Sequence, residues 1–216
     1  RVTVSLDSLD DGAFRAMNDV EVPVARVLAG IEAAADAGLT PIKINTVIQR
    51  GVNDHGIEAL AERFRGTGHV LRFIEYMDVG TTNGWRLDKV VTATEIHRRL
   101  SRLADLEAIP PSYRGEVARR WRYRDGSGEI GLVASVTRPF CGDCTRARLS
   151  ADGQLFTCLF ATRGHDLRAA LRDGAGDRQL RRRVEKIWQA RADRYSELRS
   201  AETASRPRPE MSYLGG

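Results

Sequence analysis

Cysteine is scarce in this 216-residue chain: Cys141, Cys144 and Cys158 are the only three, all within TRPFCGDCTRARLSADGQLFTCLF at residues 137–160. Three clustered thiols are not the disulfide framework of a small secreted domain. They point to a metal site in a reducing compartment, and a cytoplasmic location is expected. No apolar run approaches the roughly 18 residues of a membrane span, so no membrane partner is expected. The opening RVTVSLDS has neither the charge pattern nor the apolar stretch of a signal peptide. It reads as a core strand with no initiating Met, and the chain is expected to begin in mid-domain. No repeat occurs at solenoid periods.

What is present is the composition of a soluble globular protein, 42% hydrophobic and 29% charged, with length for one large unit and a smaller appendage. The net charge of +5 favours anions, but its sign does not separate nucleic acid from nucleotide phosphates or plain solubility. Much of the excess lies in DRQLRRRVEKIWQARADR, where Arg181, Arg182, Arg183, Lys186 and Arg191 alternate with Leu180, Val184, Ile187 and Trp188. That spacing predicts an amphipathic helix with a solvated basic face.

Along the chain, RVTVSLD predicts a strand, SLDDGAFRAMND a helix start, and PVARVLAGIEAAADAG a helix from Pro23 to near Gly38. PIKINTVIQ and HVLRFIEYM are β-rich runs separated by the helical NDHGIEALAERFRGTG, so the first part reads as parallel βα units. A Gly/Thr/Asn-rich loop follows, then a helix at TATEIHRRLSRL with a Thr cap that Glu95 is placed to help. From about residue 105 the texture changes to a connector and a hairpin turning at DGSG. A second hairpin is expected about Asp152-Gly153, then a short helix at HDLRAALRDGAGD. The boundary is placed where the texture changes, at about residue 105, giving domains at residues 1–104 and 105–216. The terminal SAETASRPRPEMSYLGG reads locally as a frayed tail.

C-x2-C with a third Cys on a nearby hairpin arm supplies three ligands to one metal, and the spacing does not choose the metal. A structural zinc needs a fourth ligand, for which His165 is available. A cluster on three thiolates leaves one iron open, and a thioredoxin-like pair has no use for Cys158. Arg146 and Arg148, two apart on an extended segment, send both guanidiniums to one face, which suits an anionic ligand beside the metal. They also fit an ordinary edge strand. Lys43 and Arg72 each place a cation inside a strand where a barrel carries apolar residues, and such charges need partners or a ligand.

VSLDS, KINTVIQRGVND, RFIEYMDVG, the cysteine segment with TRARLS inside it and the terminal MSYLGG together resemble the molybdenum cofactor biosynthesis protein A family. Its members are GTP 3',8-cyclases of the radical S-adenosylmethionine (SAM) enzymes. The resemblance implies an α/β fold, part of an incomplete (β/α)6 TIM-type barrel followed by a small α+β cluster-binding extension. It implies that Cys141, Cys144 and Cys158 hold a 4Fe-4S cluster whose open iron meets the guanine of GTP. Lys43, Arg72, Arg146 and Arg148 match GTP-site positions, Ser5, Asn45 and Met77 match positions near SAM, and Gly215 and Gly216 match a glycine tail that reaches the active site. The anion cleft is expected at the strand C-termini.

The family's C-x3-C-x2-C motif, which carries the SAM-binding cluster, does not occur here. The chain is therefore expected to be the C-terminal part of a cyclase, a lyase when whole and inactive alone. The full enzyme would convert GTP to 3',8-cyclo-7,8-dihydro-GTP through a 5'-deoxyadenosyl radical, with a second cluster, SAM and a downstream cyclic pyranopterin monophosphate synthase as partners. A homodimer is possible on this reading, and no nucleic acid partner is implied. The rival reading is a zinc- or cluster-containing nucleotide- or RNA-binding module without catalysis.

Overall fold

The computed structural model describes residues 2–200 and 207–214. The chain divides into two compact units, residues 1–77 with 86–139 and residues 78–85 with 140–216. No helix among the described residues is long and apolar enough to cross a membrane.

In the first unit the order is β1 (Thr3–Ser5), α1 (Asp11–Asn18), α2 (Val24–Asp36), β2 (Lys43–Ile48), α3 (Ile57–Phe64), β3 (Val70–Glu75), α4 (Ala93–Leu100), β4 (Leu106–Ile109), β5 (Arg119–Tyr123) and β6 (Glu129–Val133). Local chemistry sets the helix starts. Asp10 accepts the Ala13 N–H at 2.8 Å to open α1, and α2 begins directly after Pro23. Thr92 caps α4 by accepting the Glu95 N–H at 3.1 Å. The reciprocal half of the expected capping box does not form there, because Glu95 Oε2 pairs with Arg50 Nη2 at 2.7 Å.

The strands form one six-stranded sheet in the order β1-β2-β3-β6-β5-β4, parallel from β1 to β6 and antiparallel beyond. The unit is thus a mixed α/β fold. Residues 106–133 share this sheet with residues 3–75, because β6 is hydrogen-bonded in parallel register to β3. The 104/105 boundary read from sequence therefore does not coincide with the division into compact units. The stretch expected as a connector contains β4, a four-residue strand too short to declare itself by alternation.

Period-two alternation separates the faces of this sheet. Ile44 and Ile48, Leu71 and Phe73, and Ile130 and Leu132 form one core with Phe14, Val24 and Ile31 and with Leu60, Phe64, Ile96 and Leu100 of the helices. The other face carries Lys43 and Asn45 on β2 and Arg72 on β3, all half-buried. Across it, Ser5, Asn45, Arg72, Gly131 and Arg120 fall into one row of register partners. Glu75 ends β3 on the core side, fully buried.

The second unit contains β7 (Arg148–Leu149), β8 (Gln154–Phe156), β9 (His165–Asp166), α5 (Arg168–Arg172) and α6 (Asp177–Gln189), with the strands in one antiparallel sheet. The β7–β8 hairpin turns at Gly153, whose φ of 83° is open to glycine without steric cost. No residue of α6 is buried, and Arg181, Arg182, Arg183 and Lys186 are exposed as the spacing predicted. Residues 207–214 are tied to residues 78–82: Arg208 Nη1 donates to Asp78 at 3.2 Å and Glu210 Oε1 accepts the Thr81 N–H at 2.8 Å. Leu214 is buried.

Candidate functional site

In the second unit the C-x2-C segment is a single tight turn, Cys141–Asp143, closed by the Cys144 N–H donating to the Cys141 carbonyl at 3.3 Å. The third cysteine follows β8, where the Phe160 N–H donates to Cys158 Sγ at 3.4 Å. All three thiols are free. They line one cavity together with Arg146, Arg148, Arg191 and Asp193. The turn and the hairpin thus bring Cys141, Cys144, Cys158, Arg146 and Arg148 together.

Cys144 and Cys158 differ electrostatically. Burial pushes the Cys144 thiol up, but hydrogen bonds from the Arg146 side chain and backbone outweigh it and leave the thiol more acidic than usual. Arg146 Nε stands 3.4 Å from Cys144 Sγ, with its guanidinium over the Phe140 ring. Burial dominates at Cys158 and raises it. Arg148 is pulled below the ordinary guanidinium range by burial and by Arg146.

Among the described residues, no group of three His, Cys, Asp or Glu side chains stands ready at ligating distance around one point. The donor set nevertheless suits a three-thiolate centre: three unbridged sulfurs on one cavity, with two guanidiniums beside them for an anionic ligand. His165, the zinc candidate, lies in β9 and lines a different cavity with Asp166, Arg183 and Lys186.

In the first unit, Lys43 and Arg72 line a cavity of about 330 Å³ with Ser112, Glu116, Arg120 and Glu129. Arg120 is engaged by Glu129 in a two-bond fork at 2.6 and 2.7 Å. Arg72 Nε donates to Asn45 Oδ1 at 2.8 Å, so a residue expected near SAM and one expected near GTP are in direct contact. Lys43 and Val70 open their strands, which puts this cavity at the N-terminal end of β2 and β3 and not at the strand C-termini. Ser5 closes β1, and Met77 follows β3 by two residues. Gly215 and Gly216 lie outside the described residues.

The two cavities are also lined by Gly131 in the first unit and by Arg191, Asp193 and Thr157 in the second, none of which the sequence assigned to a site. Arg191 was read with the solvated face of α6, yet its side chain is only 11% exposed because it turns back onto the cysteine turn. Its position beyond the end of α6 was the available signal.

The profile of the family described as Molybdenum Cofactor Synthesis C matches residues 69–197. Among relatives, a GTP 3',8-cyclase of Acidothermus cellulolyticus is 51% identical over 241 residues, covering 100% of this chain and 67% of its own. One of Xanthomonas axonopodis pv. citri is 52% identical over 217 residues, covering 100% of this chain and 64% of its own. A Staphylococcus aureus GTP 3',8-cyclase is 41% identical over 220 residues, with 100% and 64% covered. The chain spans about two thirds of the length of these curated relatives.

Proposed function

The chain belongs to the Molybdenum Cofactor Synthesis C family, and from that footing we propose that it provides the C-terminal cluster- and GTP-binding part of a GTP 3',8-cyclase. The reading is supported above all by one cavity lined by three free cysteines and by Arg146 and Arg148. A 4Fe-4S cluster held by Cys141, Cys144 and Cys158 would keep one iron without a protein ligand and so accept a donor atom of the substrate.

The protein's own groups act by binding and orientation. Arg146 and Arg148 offer two fixed guanidiniums to an anionic nucleotide beside the thiolates. Lys43 and Arg72 supply further cations for GTP, and the bond that Arg72 donates to Asn45 holds it in one orientation. Ser5, Asn45 and Met77 serve SAM, and Gly215 and Gly216 serve GTP. The first unit contributes strands of a partial (β/α)6 barrel that a longer protein completes, with a second cluster, and 3',8-cyclo-7,8-dihydro-GTP as product. Reduced thiols and a pathway of small soluble metabolites fit a cytoplasmic enzyme of the lyase class.

GTP binding by the anaerobically reconstituted 216-residue chain tests this reading. Arg146→Ala with Arg148→Ala should weaken binding at least about tenfold, the worth of one charge-assisted hydrogen bond or more. Unchanged affinity in the double variant would contradict it.

A further inference from the structure

Cys144 and Cys158 sit on separate segments, the turn before β7 and the strand end after β8. The β7–β8 hairpin joins them through the chain, with only two residues in β7 and three in β8. A second connection runs through side chains. Arg191 Nη1 donates to the Cys144 carbonyl, and Arg191 Nε donates to Asp193 Oδ2 at 3.2 Å. The same Asp193 oxygen accepts the Thr157 hydroxyl at 2.6 Å. Thr157 is 6% exposed and immediately precedes Cys158.

The path is closed and short: Cys144 carbonyl, Arg191, Asp193, Thr157, Cys158. Arg191 is itself oriented by Trp188, its guanidinium standing 4.9 Å from that ring's centroid in the last turn of α6. Both charged members are mostly shielded, with 11% and 27% of their side chains exposed, so their bonds are less screened than those of a surface pair. Groups that fix the backbone of metal ligands alter metal affinity without touching the metal.

We propose that Arg191 and Asp193 form a clasp that sets the separation of the two cysteine-bearing segments, as positioning residues for the metal centre on Cys141, Cys144 and Cys158. This rests on the metal-binding reading above but not on the identity of the metal. The clasp's hydrogen bonds reach the Cys144 carbonyl and the Thr157 hydroxyl, and Arg191 also stands within hydrogen-bond reach of the Cys144 thiol, so its loss should leave the fold in place and loosen the centre.

The test compares the full chain as wild type, Arg191→Gln, Arg191→Lys, Asp193→Asn and Thr157→Val after anaerobic reconstitution with iron and sulfide, and separately with zinc. The readouts are the rate of metal loss to EDTA, the EPR spectrum of the reduced iron form, and thermal melting by circular dichroism. Arg191→Gln and Asp193→Asn should lose metal roughly tenfold faster with a changed EPR line shape and an unchanged melting temperature. Arg191→Lys, which has a single nitrogen in place of the separate Nη1 and Nε donors, should fall between. If Arg191→Gln does not fold, Thr157→Val removes a single hydroxyl and should still speed metal loss. Wild-type rates and spectra in the folded variants would overturn the clasp, as would metal loss that merely tracks a lower melting temperature. A wild-type chain that takes up only zinc would defeat the cyclase reading, and the same comparison of rates would still decide the clasp.

Discussion

Arg72 lies across Gly131, its register partner on the neighbouring parallel strand: a Cβ built on Gly131 would stand 2.9 Å from Arg72 Cγ and 3.3 Å from Ala118 Cβ. The absent side chain on β6 is what lets a guanidinium stem run over the open face of the sheet and meet Asn45. A glycine within a strand weakens it, so the close approach is its compensating use.

Gly131→Ala should therefore act on Arg72 rather than on the core. The expected result is an intact fold with GTP binding weakened roughly tenfold through the displaced Arg72–Asn45 pair. Binding titrations beside a melting curve check it, and unchanged affinity would mean that Arg72 does not touch the nucleotide.

Glu75 is fully buried and accepts the N–H groups of Ala93, Val136 and Thr137, each at 2.8 Å, with the Thr137 hydroxyl at 2.5 Å. One carboxylate thus joins the end of β3, the first turn of α4 and the segment after β6. Glu75→Ala removes the acceptor of four part-buried hydrogen bonds and leaves a cavity where the carboxylate stood, and should cost about 3–5 kcal/mol. Glu75→Gln turns an NH2 group toward donors and should cost about 1–3 kcal/mol. Urea denaturation measures both, and a cost under about 1 kcal/mol for the alanine variant would contradict the role.

Asp7 is nearly buried, and burial raises its carboxyl to about 6 despite the Val47 N–H donating to Oδ1 at 2.7 Å. Its folded pKa lies above its unfolded value of 3.8, so its own contribution to stability is fully present below pH 4 and is lost as pH rises through about 6. Asp7→Asn keeps an acceptor for Val47 without the charge. It should be more stable than wild type above pH 6 by up to about 3 kcal/mol and equal to it near pH 3. A pH-independent difference between the two would contradict this origin.

The thiols offer a test in the metal-free, reduced chain. Cys144 is made more acidic beside Arg146 and Cys158 less so by burial, so iodoacetamide at pH 8 should label Cys144 before Cys158. Mass spectrometry of peptides at timed intervals reads the order, and the reverse order would show that the two environments are assigned wrongly.

Much of this architecture was legible in the sequence because local chemistry agreed with tertiary need. Pro23, Thr92 and Gly153 punctuate the chain where the spacing said they would, and Lys43 and Arg72 stood out as cations inside strands. The pairing of Arg146 with Arg148 on the cysteine cavity also followed from an i, i+2 spacing. What stayed hidden depends on contacts between distant residues. The strand order that joins β6 to β3 leaves no local mark on residues 105–139. Gly131 looks like any strand glycine until Arg72 is laid over it, and Arg191 looks like one more arginine of a basic helix until its bond to the Cys144 carbonyl is seen. Lys43 was expected near the strand C-termini, but it opens β2, a matter of where hydrogen bonding begins.

On this reading a cluster on three cysteines leaves one iron for the substrate. The most direct measurement is the iron, sulfide and zinc content of the anaerobically reconstituted chain, followed by its EPR spectrum with and without GTP. About four irons per chain, as a single 4Fe-4S centre requires, and a spectrum changed by GTP are predicted. Stoichiometric zinc with no response to GTP would contradict the claim and make Cys141, Cys144 and Cys158 a structural site.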